Sequence, residues 1–181
     1  MLRLLPHPDA GPGKVEGFAV GLSLDADGRL WLRYHVDMPL DALVTGEPRA
    51  EIERADELWR STCFEAFLRR PGEPGYAEFN FAPDYRWAAY RFDAYREGME
   101  NMVLDGAPEF GIDISDSHFA LEVELTLPDG YRGVALDIAL TAIVEEAGGT
   151  KSYWALAHPD GKPDFHHEAC FALKLAPPLH R

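Results

Sequence analysis

The segment HFALEVELTL, residues 118–127, alternates between apolar and polar side chains. Its apolar members are Phe119, Leu121, Val123, Leu125 and Leu127, and His118, Glu122, Glu124 and Thr126 lie between them. Because successive side chains of a strand point to opposite faces, this pattern is typical of a β-strand with one face in a core and the other in water. The segment therefore predicts a layered β-structure.

The same period of two recurs along most of the chain. Alternating or strand-like runs cover residues 19–25, 29–37, 61–69, 76–82, 86–95, 134–145, 150–156 and 170–175. Residues 25–28 and 70–75 are typical of hairpin turns, since Gly and Pro there accept turn geometries. Only residues 49–58, rich in Glu, Arg and Ala, favour a short helix. The spacing predicts an all-β fold, a two-sheet antiparallel β-sandwich of the jelly-roll kind with one short helix.

Length and charge limit the class of protein. A chain of 181 residues fits one domain over residues 1–181, and 46% hydrophobic with 27% charged residues is typical of a folded globular protein. A net charge of −14 argues against nucleic-acid or anionic-membrane partners, which reward clustered Lys and Arg. No apolar run is long enough for a signal peptide or a membrane span, so we expect a cytoplasmic protein. The expected partner is a small molecule, and the oligomeric state stays open.

The chain has two cysteines, Cys63 and Cys170, each in a predicted strand. Neither belongs to a CxxC motif, which argues against a metal knuckle or a redox motif. We expect two reduced thiols, with a disulfide as the alternative if their strands are neighbours.

The first candidate for ligand contact is the start of the 61–69 strand. Trp59 offers a flat apolar face for a sugar ring or another planar ligand, and Glu65 offers an acceptor six residues later. The alternative is that Trp59 caps the core and Glu65 pairs with Arg60 or Arg91.

The second candidate is the 76–82 strand, in which Tyr76, Glu78 and Asn80 share one face. If this strand pairs with 61–69, then Glu65, Glu78 and Asn80 line one concave polar surface. Two facing carboxylates would also fit the acid and base of a glycosidase. Solvated surface carboxylates are the alternative.

The third candidate is the stretch 153–167, which collects aromatic residues, prolines and histidines in a loop between two strands. His158, Asp164 and His166 could hold zinc or another divalent metal and support a metal-assisted enzyme. No HExxH spacing occurs, and hydrogen bonds that hold the loop are the alternative. Neighbouring His166 and His167 would point to opposite faces of a strand. The GxSxG, P-loop and GxGxxG motifs are also missing.

Three segments in this order carry a family resemblance: LWRSTCFEAFL (58–68), YAEFNFAPDYRWAAYRFDAYREGM (76–99) and KSYWALAHPDGKPDFHH (151–167). The chain resembles the DOMON-like domains related to family 9 carbohydrate-binding modules. More closely, over residues 31–175, it is similar to DOMON-like bacterial proteins encoded beside the MurB reductase gene. The resemblance implies a β-sandwich that binds sugars or haem and is not a catalyst.

The resemblance also implies a cleft. In the sugar-binding modules a tryptophan, followed six residues later by a glutamate, begins the cleft, and Trp59 and Glu65 match it. Asn80 stands where those modules have an arginine. Phe165 and the loop histidines take the place of a second stacking tryptophan, with Trp154 upstream. The haem-binding relatives use a Met and a His, for which Met99 or Met102 is the candidate methionine.

We therefore expect a non-catalytic β-sandwich that binds a sugar or similar polyol between Trp59 and the 158–167 loop. Glu65, Glu78 and Asn80 would bond to hydroxyl groups, and Arg60 or Arg86 would offset the carboxylate charge. The full set of expected ligand-binding residues is Trp59, Arg60, Glu65, Glu78, Asn80, Arg86, Trp154, His158, Asp164, Phe165 and His166. No catalytic residue, metal or cofactor is expected. The alternatives are haem binding and a metal-assisted enzyme.

Overall fold

The computed structural model describes residues 1–178, and they form four short 3₁₀ turns and two sheets whose strand pairs are antiparallel, apart from one short parallel pair. The strands are β1 (Leu2–Arg3), β2 (Leu5–Pro6), β3 (Gly17–Leu24), β4 (Arg29–Asp37), β5 (Glu53–Arg54), β6 (Cys63–Arg69), β7 (Tyr76–Phe81), β8 (Arg86–Phe92), β9 (Glu100–Asn101), β10 (Glu109–Ser115), β11 (His118–Thr126), β12 (Leu136–Glu145), β13 (Lys151–Ala155) and β14 (Leu173–Leu175). The turns are Leu40–Ala42, Leu58–Arg60, Asp129–Tyr131 and Glu168–Cys170. No helix among these residues is long and apolar enough to cross a bilayer.

The two sheets have different sizes. The five-stranded sheet has the order β1-β3-β4-β11-β10. The nine-stranded sheet has the order β2-β13-β12-β6-β7-β8-β5, with β14 beside β12 and β9 beside β8. The predicted two-sheet β-sandwich is confirmed.

The main core fills the space between the sheets, and Phe64 on β6 is at its centre. Its ring stacks on that of Phe119 in the facing sheet, with the ring centroids 5.9 Å apart. The ring centroids of Tyr34 and Phe18 lie 5.2 Å and 6.1 Å away. All four rings are buried. The alternation of β11 places Phe119, Leu121 and Val123 on this inner face. The pattern in residues 118–127 is therefore that of a strand with one buried face.

A second apolar cluster lies on the outer face of the nine-stranded sheet, the face turned away from the five-stranded sheet. It includes Cys63 and Phe67 of β6 and is covered by Phe165 and Phe171 from the segment between β13 and β14. Strand β6 is thus buried on both faces. Both cysteines lie in this cluster as free, buried thiols.

The helix predicted for residues 49–58 does not form, so that prediction is wrong. Glu53–Arg54 adds as a short parallel strand to β8, and the amide of Ala55 donates to the carbonyl of Trp87 at 2.9 Å. The guanidinium of Arg54 donates to the carbonyl of Met102 at 2.8 Å. These bonds to a sheet edge outweigh a local helix propensity of a few tenths of a kcal/mol per residue.

Strand β10 is absent from the sequence-based expectation. Its sequence, EFGIDIS, contains Gly111 and Asp113, which are disfavoured in strands. It nevertheless pairs with β11 along its whole length, from Glu109 opposite Glu124 to Ser115 opposite His118. A neighbouring strand therefore supplies the order that the local sequence lacks.

Substituting Phe64→Ala should lower the free energy of unfolding by about 3–5 kcal/mol, because it removes the ring that both sheets contact. Val103→Ala, at a side chain that is 87% exposed, is the control and should change it by less than about 0.5 kcal/mol. Chemical denaturation measures both. Equally small changes in the free energy of unfolding for the two variants would contradict this packing.

Candidate functional site

A cavity of about 360 Å³ opens on the outer face of the nine-stranded sheet. Its floor is formed by side chains of β6, β7 and β12, and its walls come from the 93–99 turn, the Leu58–Arg60 turn, β13 and the 156–168 loop. The lining residues are Trp59, Glu65, Glu78, Phe92, Arg96, Met99, Ile143, Tyr153, Pro163, Phe165 and His166. The cavity therefore combines a carboxyl-bearing floor with largely aromatic walls.

Strand register brings the polar floor together. Glu65 on β6 lies opposite Asn80 on β7 and opposite Thr141 on β12. Glu78 shares the face of Asn80 because the two are separated by one residue on β7. All four side chains are buried.

Each carboxyl has one oxygen bonded to a hydroxyl or amide donor, and the Cys63 thiol also forms a hydrogen bond with Glu65. The hydroxyl of Thr141 donates to Oε2 of Glu65 at 3.1 Å, and Nδ2 of Asn80 donates to Oε1 of Glu78 at 2.7 Å. Among residues 1–178, no hydroxyl or nitrogen donor forms a hydrogen bond with the other oxygen of either group. Glu65 is 3% exposed and Glu78 is 4% exposed, and both side chains line the cavity.

Burial changes the protonation of this pair. Desolvation, together with the charge of Glu78, raises the pKa of Glu65 to about 8. Desolvation raises the pKa of Glu78 to about 7, against the lowering effects of the Asn80 hydrogen bond and the Arg96 charge. Near neutral pH the pair therefore holds at least one proton, and it can both donate and accept hydrogen bonds.

His166 lies above the floor as a neutral imidazole. Burial, and then the charge of Arg96, lowers its pKa to about 4. The hydroxyl oxygen of Tyr76 accepts from the amide of Arg96 at 3.1 Å and lies 2.8 Å from Nδ1 of His166. We therefore assign Nδ1 as the acceptor of the Tyr76 hydrogen. The ring hydrogen is then on Nε2, which lies 3.9 Å from Oε2 of Glu78.

Asp164 ties the 156–168 loop to the turn after β8. It accepts from the hydroxyl of Tyr95, from Nη2 of Arg96 at 2.8 Å and from the amide of His166 at 3.2 Å. Although burial raises the pKa of Asp164, the hydrogen bonds from Tyr95 and Arg96 outweigh it and hold this pKa below its ordinary value. The bonds position His166 and Phe165 over the cavity.

Aromatic rings enclose the mouth. Trp59 is 37% exposed and forms a T-shaped pair with Tyr90, with the ring centroids 6.2 Å apart. On the loop side, the ring of Phe165 packs against that of Tyr153, with the ring centroids 6.2 Å apart. Rings of this kind offer flat apolar surfaces to a bound ring.

Comparisons with known proteins rest on structure, because no protein-family model matches the chain and no curated protein matches its sequence. A proposed carbohydrate-binding protein of Bacteroides uniformis is similar at a TM-score of 0.61 and 15% identity, covering 93% of this chain and 81% of that one. This likeness shows the fold.

Two structures of a family 9 carbohydrate-binding module from Caldicellulosiruptor kristjanssonii are more distant. The complex with cellotriose has a TM-score of 0.49 and 12% identity, covering 88% of this chain and 75% of that one. The complex with glucose has a TM-score of 0.47 and 12% identity, covering 83% and 74%.

The structure brings together part of the expected residue set. Trp59, Glu65, Glu78, Phe165 and His166 all line the cavity. Asn80 lies beneath it as the donor to Glu78, and Asp164 lies behind it as the anchor of the loop. Whether these residues bind a ligand stays a prediction.

Four expected residues lie outside the cavity, namely Trp154 and His158, and the two arginines Arg60 and Arg86. Trp154 and its neighbour Tyr153 point to opposite faces of β13, and Trp154 points to the inner face. Its ring packs on Phe18 in the main core, with the ring centroids 5.5 Å apart. His158 is bonded through Nε2 to the carbonyl of Leu5 at 2.9 Å, which fastens β2 beside the loop. Neither lines the cavity.

The expectation that Arg60 or Arg86 offsets the carboxylate charge is wrong. Arg60 pairs with Glu57 at 2.7 Å and Arg86 pairs with Asp84 at 2.8 Å, each in its own local turn. Neither guanidinium reaches Glu65 or Glu78. The pairing of Glu65 with Arg60 or Arg91 also does not occur, since Arg91 pairs with Glu100 at 2.7 Å.

The predicted metal set does not assemble. Within residues 1–178 no group of three or more His, Cys, Asp or Glu side chains could hold a metal ion. His158 is hydrogen-bonded to the carbonyl of Leu5, and Asp164 is hydrogen-bonded to Tyr95 and Arg96. His166 and His167 lie in a loop and not on a strand. Nδ1 of His167 accepts a hydrogen bond from the amide of Ala169 at 3.1 Å and so caps the Glu168–Cys170 turn.

Sequence reasoning missed Arg96, Met99 and Tyr153 as lining residues. Arg96 follows β8 in a turn and has φ +56, a left-handed conformation that nothing in its residue type predicts. Tyr153 could have been found from the alternation of 150–156, which opposes it to Trp154. Tyr76 carried a signal too, because it shares a face with Glu78.

The raised pKa values predict that stability falls with rising pH. In the unfolded chain both carboxyls lose their protons near pH 4.5, whereas the folded chain keeps them to about 7 and 8, so the unfolded state binds fewer protons in between. Between pH 6.5 and 8.5 the free energy of unfolding should fall by about 3 kcal/mol from this pair.

Glu65→Gln and Glu78→Gln should each reduce this slope, as measured by chemical denaturation across that range. Glu16→Gln, at an exposed side chain, makes the same change in net charge and is the control. An unchanged slope in both cavity variants would show that the pair is ionised at neutral pH.

Proposed function

We propose that this chain is a non-catalytic ligand-binding β-sandwich whose cavity holds a small hydroxylated ring such as a sugar. The observation that carries the proposal is the cavity itself, with aromatic walls at Trp59, Phe165 and Tyr153 over the buried pair Glu65 and Glu78. Apolar walls with a few aimed polar groups are typical of small-molecule sites.

The chemistry of the floor suits hydroxyl groups. A carboxyl group that keeps its proton donates one hydrogen bond and accepts others, and an ionised one accepts only. A pair with at least one proton near neutral pH can therefore bond to neighbouring hydroxyls that act as donor and acceptor. The partly exposed ring of Trp59 at the cavity provides the apolar contact for the C–H side of a ring.

The fold supports the proposal without deciding the ligand. The Bacteroides uniformis neighbour is proposed to bind carbohydrate, and it shares the sandwich. We also propose membership of the DOMON-like group encoded beside the MurB reductase gene, on the three segments that resemble it. The cytoplasmic location stays a prediction.

Haem is the second ligand that the resemblance implies, and the residues do not fit it well. Met99 and His166 do line the same cavity. However, Nδ1 of His166 is bonded to Tyr76 and Nε2 faces Glu78 at 3.9 Å, so a porphyrin on that nitrogen would displace the carboxyl. A Soret band in the purified protein would support haem instead.

Binding should be measured by titration calorimetry with D-glucose, N-acetyl-D-glucosamine and muramyl sugars. For any sugar that binds, Trp59→Ala should weaken affinity by about tenfold, since it removes a stacking wall. Trp31→Ala removes a tryptophan from the five-stranded sheet and should leave binding unchanged. The proposal is wrong if no panel member binds, or if the two variants behave alike.

A further inference from the structure

The floor of the cavity holds two acidic groups without a cation in contact. Glu65 and Glu78 have only neutral donors: Thr141 and the Cys63 thiol at Glu65, and Asn80 at Glu78. In the described chain, neither forms an ion pair with Lys or Arg, and the neighbouring imidazole of His166 is 3.9 Å from Glu78. One oxygen of each carboxyl is left without a hydroxyl or nitrogen donor, and both side chains line the cavity.

Other titratable groups around the pair are neutral. Burial raises the pKa of the Cys63 thiol and of the Tyr34 phenol well above their ordinary values, and raises the pKa of Tyr76 to about 12. Burial and the hydrogen bond to Asp56 raise the pKa of Tyr90. These groups therefore add no negative charge to the floor between pH 6 and 8, and the neutral His166 adds no positive charge.

Charged groups at the rim already have partners. Arg96 lines the cavity, but its guanidinium is bonded to Asp164 at 2.8 Å. Farther along the floor strands, Asp137 is paired with Arg69 at 3.5 Å and with Lys174 at 2.9 Å. The charge of the Glu65–Glu78 pair is therefore not balanced by a direct ion pair within the described residues.

We propose that the ligand of this cavity carries a protonated amine, which binds between Glu65 and Glu78 while its ring lies against Trp59 and Phe165. This rests on the proposed function, because it takes the cavity as the ligand site. The ligand class is a hydroxylated ring with an ammonium group, such as an amino sugar.

Three physical effects favour a cation here. An ammonium group brings three donors, enough for both free carboxylate oxygens. The faces of aromatic rings attract a cation when water is excluded. The net charge of −14 raises the local concentration of cations around the whole molecule.

Binding of a cation should also displace a proton. An ammonium group favours the singly ionised form of the pair over the fully protonated form, so at pH 6 the complex should release about one proton per ligand. A neutral ring with the same shape gains nothing from ionisation of the pair, so its binding should release almost no protons. Proton release therefore separates the two ligand classes.

The test uses trans-4-aminocyclohexanol and its neutral match trans-1,4-cyclohexanediol, titrated at pH 6 and pH 8. The ammonium group stays charged at both values, as a lysine side chain does. The amine should bind about tenfold tighter than the diol at pH 8. Its own affinity should rise about tenfold from pH 6 to pH 8. Calorimetry in two buffers of different ionisation enthalpy counts the protons released.

Glu65→Gln and Glu78→Gln should each reduce the ratio of amine to diol affinity, because one negative charge is lost and the amide keeps the shape. Glu16→Gln should keep the ratio, and thermal unfolding checks that each variant is folded. Equal affinities of amine and diol without proton release would overturn the amine proposal alone. If neither probe nor any sugar of the panel binds, the proposed function fails as well.

Discussion

Strand β6 is buried on both faces, and the rest of the structure depends on this constraint. Its pleat sends Phe64 inward to contact Phe18, Tyr34 and Phe119, and sends Glu65 outward beneath a covering loop. The inward face joins the two sheets. The outward face can hold a buried carboxyl only because a second layer excludes water there.

That second layer depends on a few polar bonds. Asp164 binds Tyr95 and Arg96, and Tyr76 bonds to His166, so the loop and the turn after β8 hold each other over the outer face. Desolvation by this layer raises the pKa values of Glu65 and Glu78. Carboxyls that are kept partly protonated at neutral pH lower stability, and groups of this kind are typical of functional sites.

The sequence predicted most of the fold, because a half-buried strand has a period of two that is visible in residues such as Phe119, Leu121 and Val123. It failed where local pattern and tertiary partner disagree. Arg54 lies in a helix-favouring segment but bonds to carbonyls at the edge of β8, and β10 forms in spite of Gly111 and Asp113 because β11 pairs with it.

For the site, the sequence by itself determined which residues share a face: Glu78 with Asn80 and Tyr76, and Glu65 with Phe67, since alternation is a local property of a strand. Only the tertiary structure decided which of the loop residues reach them. It placed His166 and Phe165 over the pair and left Trp154 in the core and His158 on Leu5. The reason is that a loop has no period, so its direction depends on long-range bonds such as those of Asp164.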